Sequence, residues 1–432
     1  GRPATAFCPF GDMARANYSK HCWITDKFEG NPREKTVRTG PTMPFRVFRV
    51  LRVFFFENFF MQRTTFLRAS IALAAATLMG TASAAPEPIL IGVPAPMTGP
   101  NTQYGDELKA GVLTAIETLN AAGGLNGRPY QPVLIDDACE PKQAVPAANR
   151  VINSGAKFAV AHVCSGVTLP AAKIYEEEGI VAITPGATAP QVTDNLKGRY
   201  FFRTIGRDDQ QGPFAASFIA ARLNAQTIVV LHDKQTYGAG VAQHVKASLE
   251  KLGANIALYD GINAGDSDYS AVITKLKTIK PDVVFFGGYP PEMGLLLRQA
   301  KEQGLQTQFM GAEGAFNQSL VEIAGPALEG MLFTYPADFS ARAENQAIVQ
   351  AFEKAQRPAN GAYQMPAYAA VQVLHESMKA VGTDPKKVAE YMHSNRFDTV
   401  IGPVAFDRKG DLKNFDFVVF KLDKSGQRKL VR

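Results

Sequence analysis

AHVCSGVTLPAAKIYEEEGIVAITPGATAP, residues 161–190, reads as two strand-to-helix turns in succession. Residues 160–163 end a strand and open into Cys164-Ser165-Gly166, with a helix expected from about Thr168. Residues 180–183 end the next strand and open into Thr184-Pro185-Gly186-Ala187-Thr188. Both turns are small, hydroxyl-bearing and glycine-containing. In an open parallel sheet such turns line the carboxyl edge of the strands, where ligands bind. Exposed amides at a helix start favour an anion such as a carboxylate. The stretch therefore predicts two turns set against one small zwitterion, with a second lobe closing from the other side.

Working outward, strands and helices alternate, which predicts an α/β fold of parallel sheets covered by helices. Residues 89–93 read as a strand, and 104–122 as a helix with Leu108, Val112, Ile116 and Leu119 at helical spacing. A strand at 133–136, a helix at 141–153 and a strand at 200–204 complete a first series. A second series begins with a helix at 213–223. Its strands are expected at 227–232, 256–260, 282–287, 308–310 and 330–334. The two series share one grammar, which predicts two similarly built lobes. No low-complexity linker separates them, so strand-like crossings are expected in place of a flexible tether. The C-terminal part breaks the pattern, with helices at 345–356, 366–381 and 386–395. Residues 404–406 and 415–421 read as an antiparallel pair around Asp407-Arg408-Lys409-Gly410-Asp411.

The chain has 432 residues and a formal charge of +6, but that charge is unevenly placed. Residues 1–84 hold 12 of the 46 Lys and Arg and 5 of the 40 acids, leaving 34 basic against 35 acidic residues in the body. The body therefore offers no net electrostatic attraction to nucleic acid or an anionic membrane. From Met61, MQRTTFLRASIALAAATLMGTASA has a basic start, an apolar run at 69–79 and a small-residue close at Ala82-Ser83-Ala84. That is the three-part pattern of a secretory signal cleaved after Ala84, and its apolar run is too short to span a membrane. Residues 1–60 lack a starting Met and a sustained period. They are expected to be a disordered, non-native extension upstream of a true start at Met61. The alternative is a basic amphipathic arm built on 45–56.

Beyond residue 84 the chain keeps two cysteines, Cys139 and Cys164. An even pair in an exported protein reads as one disulfide, with two buried thiols as the alternative. Catalytic signatures are missing: no phosphate loop, no dinucleotide glycine fingerprint, no zinc helix and no four-ligand Cys/His cluster. His162 and Ser165 are three apart across a strand end, so their side chains need not converge. Asp136-Asp137 with Glu140 matches no calcium loop and reads as a solvated acidic turn. A non-enzymatic binding role has more to work with. Ser165 and Thr188 can offer hydroxyls and amides to a carboxylate, and Glu313 at a strand end can pair with an ammonium. Tyr104, Tyr237 and Tyr289 each fall at a strand-to-helix turn. One such Tyr is usually core packing; three together predict an aromatic-walled pocket.

The chain resembles the type I periplasmic binding proteins that carry the branched-chain amino acids leucine, isoleucine and valine. The resemblance rests on Thr98-Gly99-Pro100 with Gln103-Tyr104-Gly105-Asp106, Asp136-Asp137-Ala138-Cys139, Cys164-Ser165 and Pro185-Gly186-Ala187-Thr188. It continues through His232-Asp233-Lys234-Gln235 with Tyr237-Gly238, Gly287-Gly288-Tyr289, Gln308-Phe309-Met310-Gly311, Val400-Ile401-Gly402-Pro403 and Lys409-Gly410-Asp411-Leu412-Lys413, and covers residues 88–422. It implies two doubly wound parallel-sheet lobes joined by three crossings near Gly206, Tyr335 and Leu412. The N-terminal lobe would take 85–206 and 336–412, and the C-terminal lobe 207–335 and 413–432. It implies a monomeric, cofactor-free carrier in the periplasm that closes on its ligand and delivers it to the membrane permease of an ABC importer. The family disulfide falls on Cys139 and Cys164. The α-carboxylate and α-ammonium contacts fall on Ser165, Ala187, Thr188 and Glu313. The side-chain pocket falls on Tyr104, Tyr237 and Tyr289 beside Val163, with Tyr363 as a further wall. Met365-Pro366 stands where the family has bulkier residues, which leaves the side-chain preference open to another amino acid, an amide or an aromatic acid. A ligand-sensing regulator uses the same fold, but a secretory signal and a disulfide argue against a cytoplasmic one.

Overall fold

The computed structural model describes residues 86–431. The readings of 1–60 and of the 61–84 signal lie outside the described residues. Strands β1 (Ile89–Ala95), β2 (Tyr130–Asp136), β3 (Phe158–Val160), β4 (Val181–Thr184) and β5 (Phe201–Arg203) form one parallel sheet in the order β2-β1-β3-β4-β5. A second sheet holds β6 (Ile228–His232), β7 (Ile256–Gly261), β8 (Val283–Gly287), β9 (Gln308–Gly311) and β10 (Leu332–Pro336). Its parallel part runs β7-β6-β8-β9-β10, the same winding as the first sheet. The shared grammar of the two sequence halves is thus a shared topology.

Every residue of β3, β4, β8 and β10 is buried. Strands covered on both faces read as continuous apolar runs, and these do. Phe285 and Phe286 are fully buried on opposite faces of β8. Truncating either to Ala would cost about 3–5 kcal/mol. Helix Ser165–Glu178 ends at Gly179, whose φ of 66° stops it two residues before β4. A left-handed residue there suits glycine and costs a residue with a Cβ.

Beyond β10 lie a two-stranded sheet of β11 (Arg396–Thr399) and β12 (Gly402–Ala405), then β13 (Phe417–Leu422) and β14 (Arg428–Leu430). β13 joins the second sheet antiparallel to β10, and β14 pairs with β13. The expected pairing of 404–406 with 415–421 is therefore wrong. The turn at 407–411 forms, with a single bridge from Phe406 to Leu412. Past it the chain leaves for the second sheet, so its flanks take different partners. The chain passes between the sheets three times: after β5, after β10, and between β12 and β13. On the second passage, helix Gln364–Val381 returns to pack on helix Thr102–Ala121 of the first sheet.

Candidate functional site

The carboxyl ends of the two parallel sheets supply the candidate residues. Ser165 follows β3, and helix Ser165–Glu178 starts there, three residues earlier than the sequence suggested. Ser165 thereby becomes the first helical residue, whose N–H has no partner within the helix. Its Oγ accepts from the Ala189 N–H at 3.3 Å. Beyond β4, Thr184 knits the two turns together. Its Oγ1 donates to the His162 carbonyl at 2.9 Å and accepts from the Ala187 N–H at 2.9 Å. Gly186 has no room for a side chain, since a Cβ there would sit 2.6 Å from Val163 Cγ1. Cys139 and Cys164 form a disulfide with Cα atoms 5.5 Å apart, tying the loop after β2 to the helix start.

Thr188 is the exposed point of this construction in a chemical sense, although it is fully buried. The carbonyls of Ala187 and Ala189 accept from Arg203, and that of Thr188 accepts from the Asp208 N–H. The Thr188 hydroxyl makes no hydrogen bond of regular geometry, although the Asp208 carboxylate lies close to it. Buried polar groups without partners cost free energy, so such a site is built for a group from outside.

The second sheet brings Glu313 opposite. It opens the short helical turn Glu313–Ala315 after β9, and it is fully buried with neither carboxylate oxygen hydrogen-bonded in regular geometry. Burial pushes its acid strength down, raising its pKa; the nearby Gln211 and Tyr237 side chains partly oppose this. Asp208 is a second fully buried carboxylate with neither oxygen hydrogen-bonded in regular geometry, and the nearby Thr188 hydroxyl favours its charged form. Burial raises its pKa well above the ordinary range, and the charge of Glu313 adds to the rise. Two carboxylates held this way invite a cation with several N–H donors.

Four tyrosines wall the junction between the sheets. Ring centroids are 5.3 Å apart for Tyr363 and Tyr104, 6.0 Å for Tyr104 and Tyr289, and 5.3 Å for Tyr289 and Tyr237. The Tyr104 hydroxyl donates to the Gly314 carbonyl at 2.7 Å, and the Gly314 N–H donates to the Tyr237 hydroxyl at 3.0 Å. Val163 is buried against Gly186 beside the Tyr363 ring.

A periplasmic binding protein model matches residues 88–427. The chain is 49% identical over 372 residues to a leucine-, isoleucine-, valine-, threonine- and alanine-binding protein of Pseudomonas aeruginosa, covering 86% of this chain and 99% of that one. It is 45% identical over 341 residues to a Leu/Ile/Val-binding protein of Escherichia coli, covering 79% and 92%. The crystal structure of a leucine binding protein from Thermotoga maritima superposes with a TM-score of 0.74 at 28% identity, over 80% of this chain and 98% of that one. This chain belongs to the periplasmic binding protein family.

Open α/β sheets take ligands at the carboxyl ends of their strands, and in this periplasmic binding protein the structure gathers there the residues singled out from sequence. Ser165, Ala187, Thr188 and Val163 sit on the first sheet's turns, Tyr104 and Tyr363 at its helix starts, and Tyr237, Tyr289 and Glu313 on the second. Asp208 and Gln211 were missed. Helix Asp208–Ala221 starts five residues before Pro213, with Asp208 and Asp209 in its first turn and a capping box between Arg207 and Gln210. Acidic residues suit a helix start, and that signal stood in the sequence. The acidic turn after β2 is not solvated throughout. Asp137 is buried and pairs with His162 Nδ1 at 2.7 Å, while Tyr175 sits 3.1 Å from Nε2. His162 is thus engaged away from Ser165, as their spacing allowed.

Proposed function

We propose that this chain captures a free α-amino acid with a branched aliphatic side chain between its two sheets and carries it to the membrane permease of an ABC importer. The observation that carries this reading is the buried set of polar atoms on Thr188, Asp208 and Glu313, none hydrogen-bonded in regular geometry, beside four tyrosine rings. Thr188 and the helix start at Ser165 suit the α-carboxylate. Glu313 and Asp208 suit the α-ammonium. Ala187 lines the same turn. Tyr104, Tyr237, Tyr289, Tyr363 and Val163, with the disulfide behind, offer the apolar surface a leucine side chain needs.

The lobes we infer are 85–206 with 336–412 and 207–335 with 413–432, closing on the ligand about the three passages. A ligand that touches both favours the closed form and shifts the population toward it. The periplasm, reached by the 61–84 signal, fits both the oxidised cysteine pair and the family. A monomer suffices, since each chain supplies a whole site. The Pseudomonas aeruginosa relative is named also for threonine and alanine. Ligand choice is therefore best tested by calorimetric titration with leucine, isoleucine, valine, threonine, alanine, an aromatic acid and an amide after unfolding and refolding to strip bound ligand. Binding by the first three supports the reading. Response only to an aromatic acid or an amide would replace it.

A further inference from the structure

The turn at 187–189 is held from behind by a buried ion pair that the ligand reading does not use. Arg203 ends β5 and is fully buried. Its Nη1 donates to the Ala187 carbonyl at 2.9 Å and the Ala189 carbonyl at 3.3 Å. Its Nη2 donates to Thr193 Oγ1 at 2.7 Å, and its Nε to Asp411 Oδ1 at 2.6 Å. Asp411 is itself buried and accepts from Thr193 Oγ1 and from Arg207 Nη1 on its other oxygen. Arg203 and Arg207 flank the first passage between the sheets, and Asp411 opens the third. One carboxylate therefore clasps two passages, and the same guanidinium that it fixes grips the turn.

We propose that Arg203 and Asp411 are positioning residues: they set the affinity of the ligand turn without touching ligand, and they couple that turn to the passages about which the sheets move. The inference rests on the proposed amino-acid reading of the 187–189 turn. A planar guanidinium suits the task because its fork fixes three acceptors in different directions at once. An ammonium carries its three donors on one nitrogen and cannot reproduce the spread by which Arg203 reaches both carbonyls, Thr193 and the carboxylate from three nitrogens. The three carbonyls of 187–189 are all taken, by Arg203 and by the Asp208 N–H, and the Ala187 and Ala189 N–H groups are held by Thr184 and Ser165, so the shape of the turn fixes where Thr188 stands.

The test uses Asp411→Asn and Arg203→Lys in the full protein. In ligand-free protein, amide exchange is followed at Ala187 and Ala189, whose N–H groups are bonded to Thr184 and Ser165. The expected result is exchange at least tenfold faster at these two amides, with β1 amides unchanged. Affinities for leucine, isoleucine and valine are then expected to fall by one common factor of tenfold or more, because the turn meets the part these ligands share. A lower melting temperature with unchanged exchange at the turn and affinities within twofold would overturn the proposal. If Asp411→Asn does not fold, Arg203→Lys, which keeps the buried charge, decides by the same two measurements. If the unaltered protein binds none of the three acids, the ligand reading falls, and exchange at Ala187 and Ala189 still decides the positioning role.

Discussion

The Tyr104 hydroxyl, carried by a helix of the first sheet, donates across the junction to the carbonyl of Gly314, next to Glu313 of the second sheet, at 2.7 Å. The bond joins the aromatic wall of one half to the carboxylate turn of the other. It can form only while the two carboxyl edges face each other closely.

Tyr104→Phe keeps the ring and removes this bond. A neutral hydrogen bond contributes about 0.5–1.5 kcal/mol, so affinity should drop by about two- to tenfold with the order of ligands preserved. Titration of the variant checks it; a reordering of leucine, isoleucine and valine would place the hydroxyl in side-chain selection instead.

Glu313→Ala removes a partner for the ammonium. Hydrogen bonds to charged groups are worth about 1.5–3 kcal/mol, which corresponds to at least tenfold weaker binding. Asp208→Asn should lose affinity in the same direction. Unchanged affinity in Glu313→Ala would remove that residue from the ammonium site.

Both carboxyls have raised pKa values in the buried site, from burial first and, for Asp208, from the charge of Glu313 as well. Below the raised values they hold protons that an incoming ammonium must displace. Affinity for leucine should therefore rise as pH climbs through the upper carboxyl range, with proton release on binding. Titration in two buffers of different ionisation heat reads that release directly, and identical heats in both would contradict it.

Glu107 is buried and accepts from the Tyr363 N–H at 3.1 Å, and burial pushes its pKa up to about 7. A carboxyl raised on folding contributes stability below its unfolded value, and that contribution is lost as pH rises toward the folded value. Glu107→Gln keeps an acceptor for the amide and no longer ionises. Its melting temperature should exceed that of the parent at pH about 8 and match it at pH about 4, where both are neutral. A lower melting temperature at the higher pH would show that the charged form is stabilised.

The disulfide closes a loop with a sequence separation of 25. Replacing both Cys139 and Cys164 by Ser should cost about 3 kcal/mol, read as a lower melting temperature. Because Ser165 adjoins Cys164, affinity should fall as well, and an unchanged affinity would separate the bond from the site.

The alternation of apolar runs with small turns made both sheets legible, because β3, β4 and β8 are buried on both faces and carry no polar interruption. Thr188, Glu313 and three tyrosines were legible because each stands in the turn or helix start that follows such a run. Asp208 was hidden by Pro213, which looks like a helix start but lies inside helix Asp208–Ala221. The partners of β13 were hidden too, since its register is decided by β10, far away in sequence. Asp137 looked solvated because nothing local announces that His162, 25 residues on, will cover it. Local pattern reports a strand's burial well; it reports long-range partners poorly.

The most direct test is calorimetric titration of the refolded, ligand-stripped protein with L-leucine, followed by competition with isoleucine and valine. The account predicts tight binding of one leucine per chain, displaced by both competitors. No heat with any of the three would contradict it.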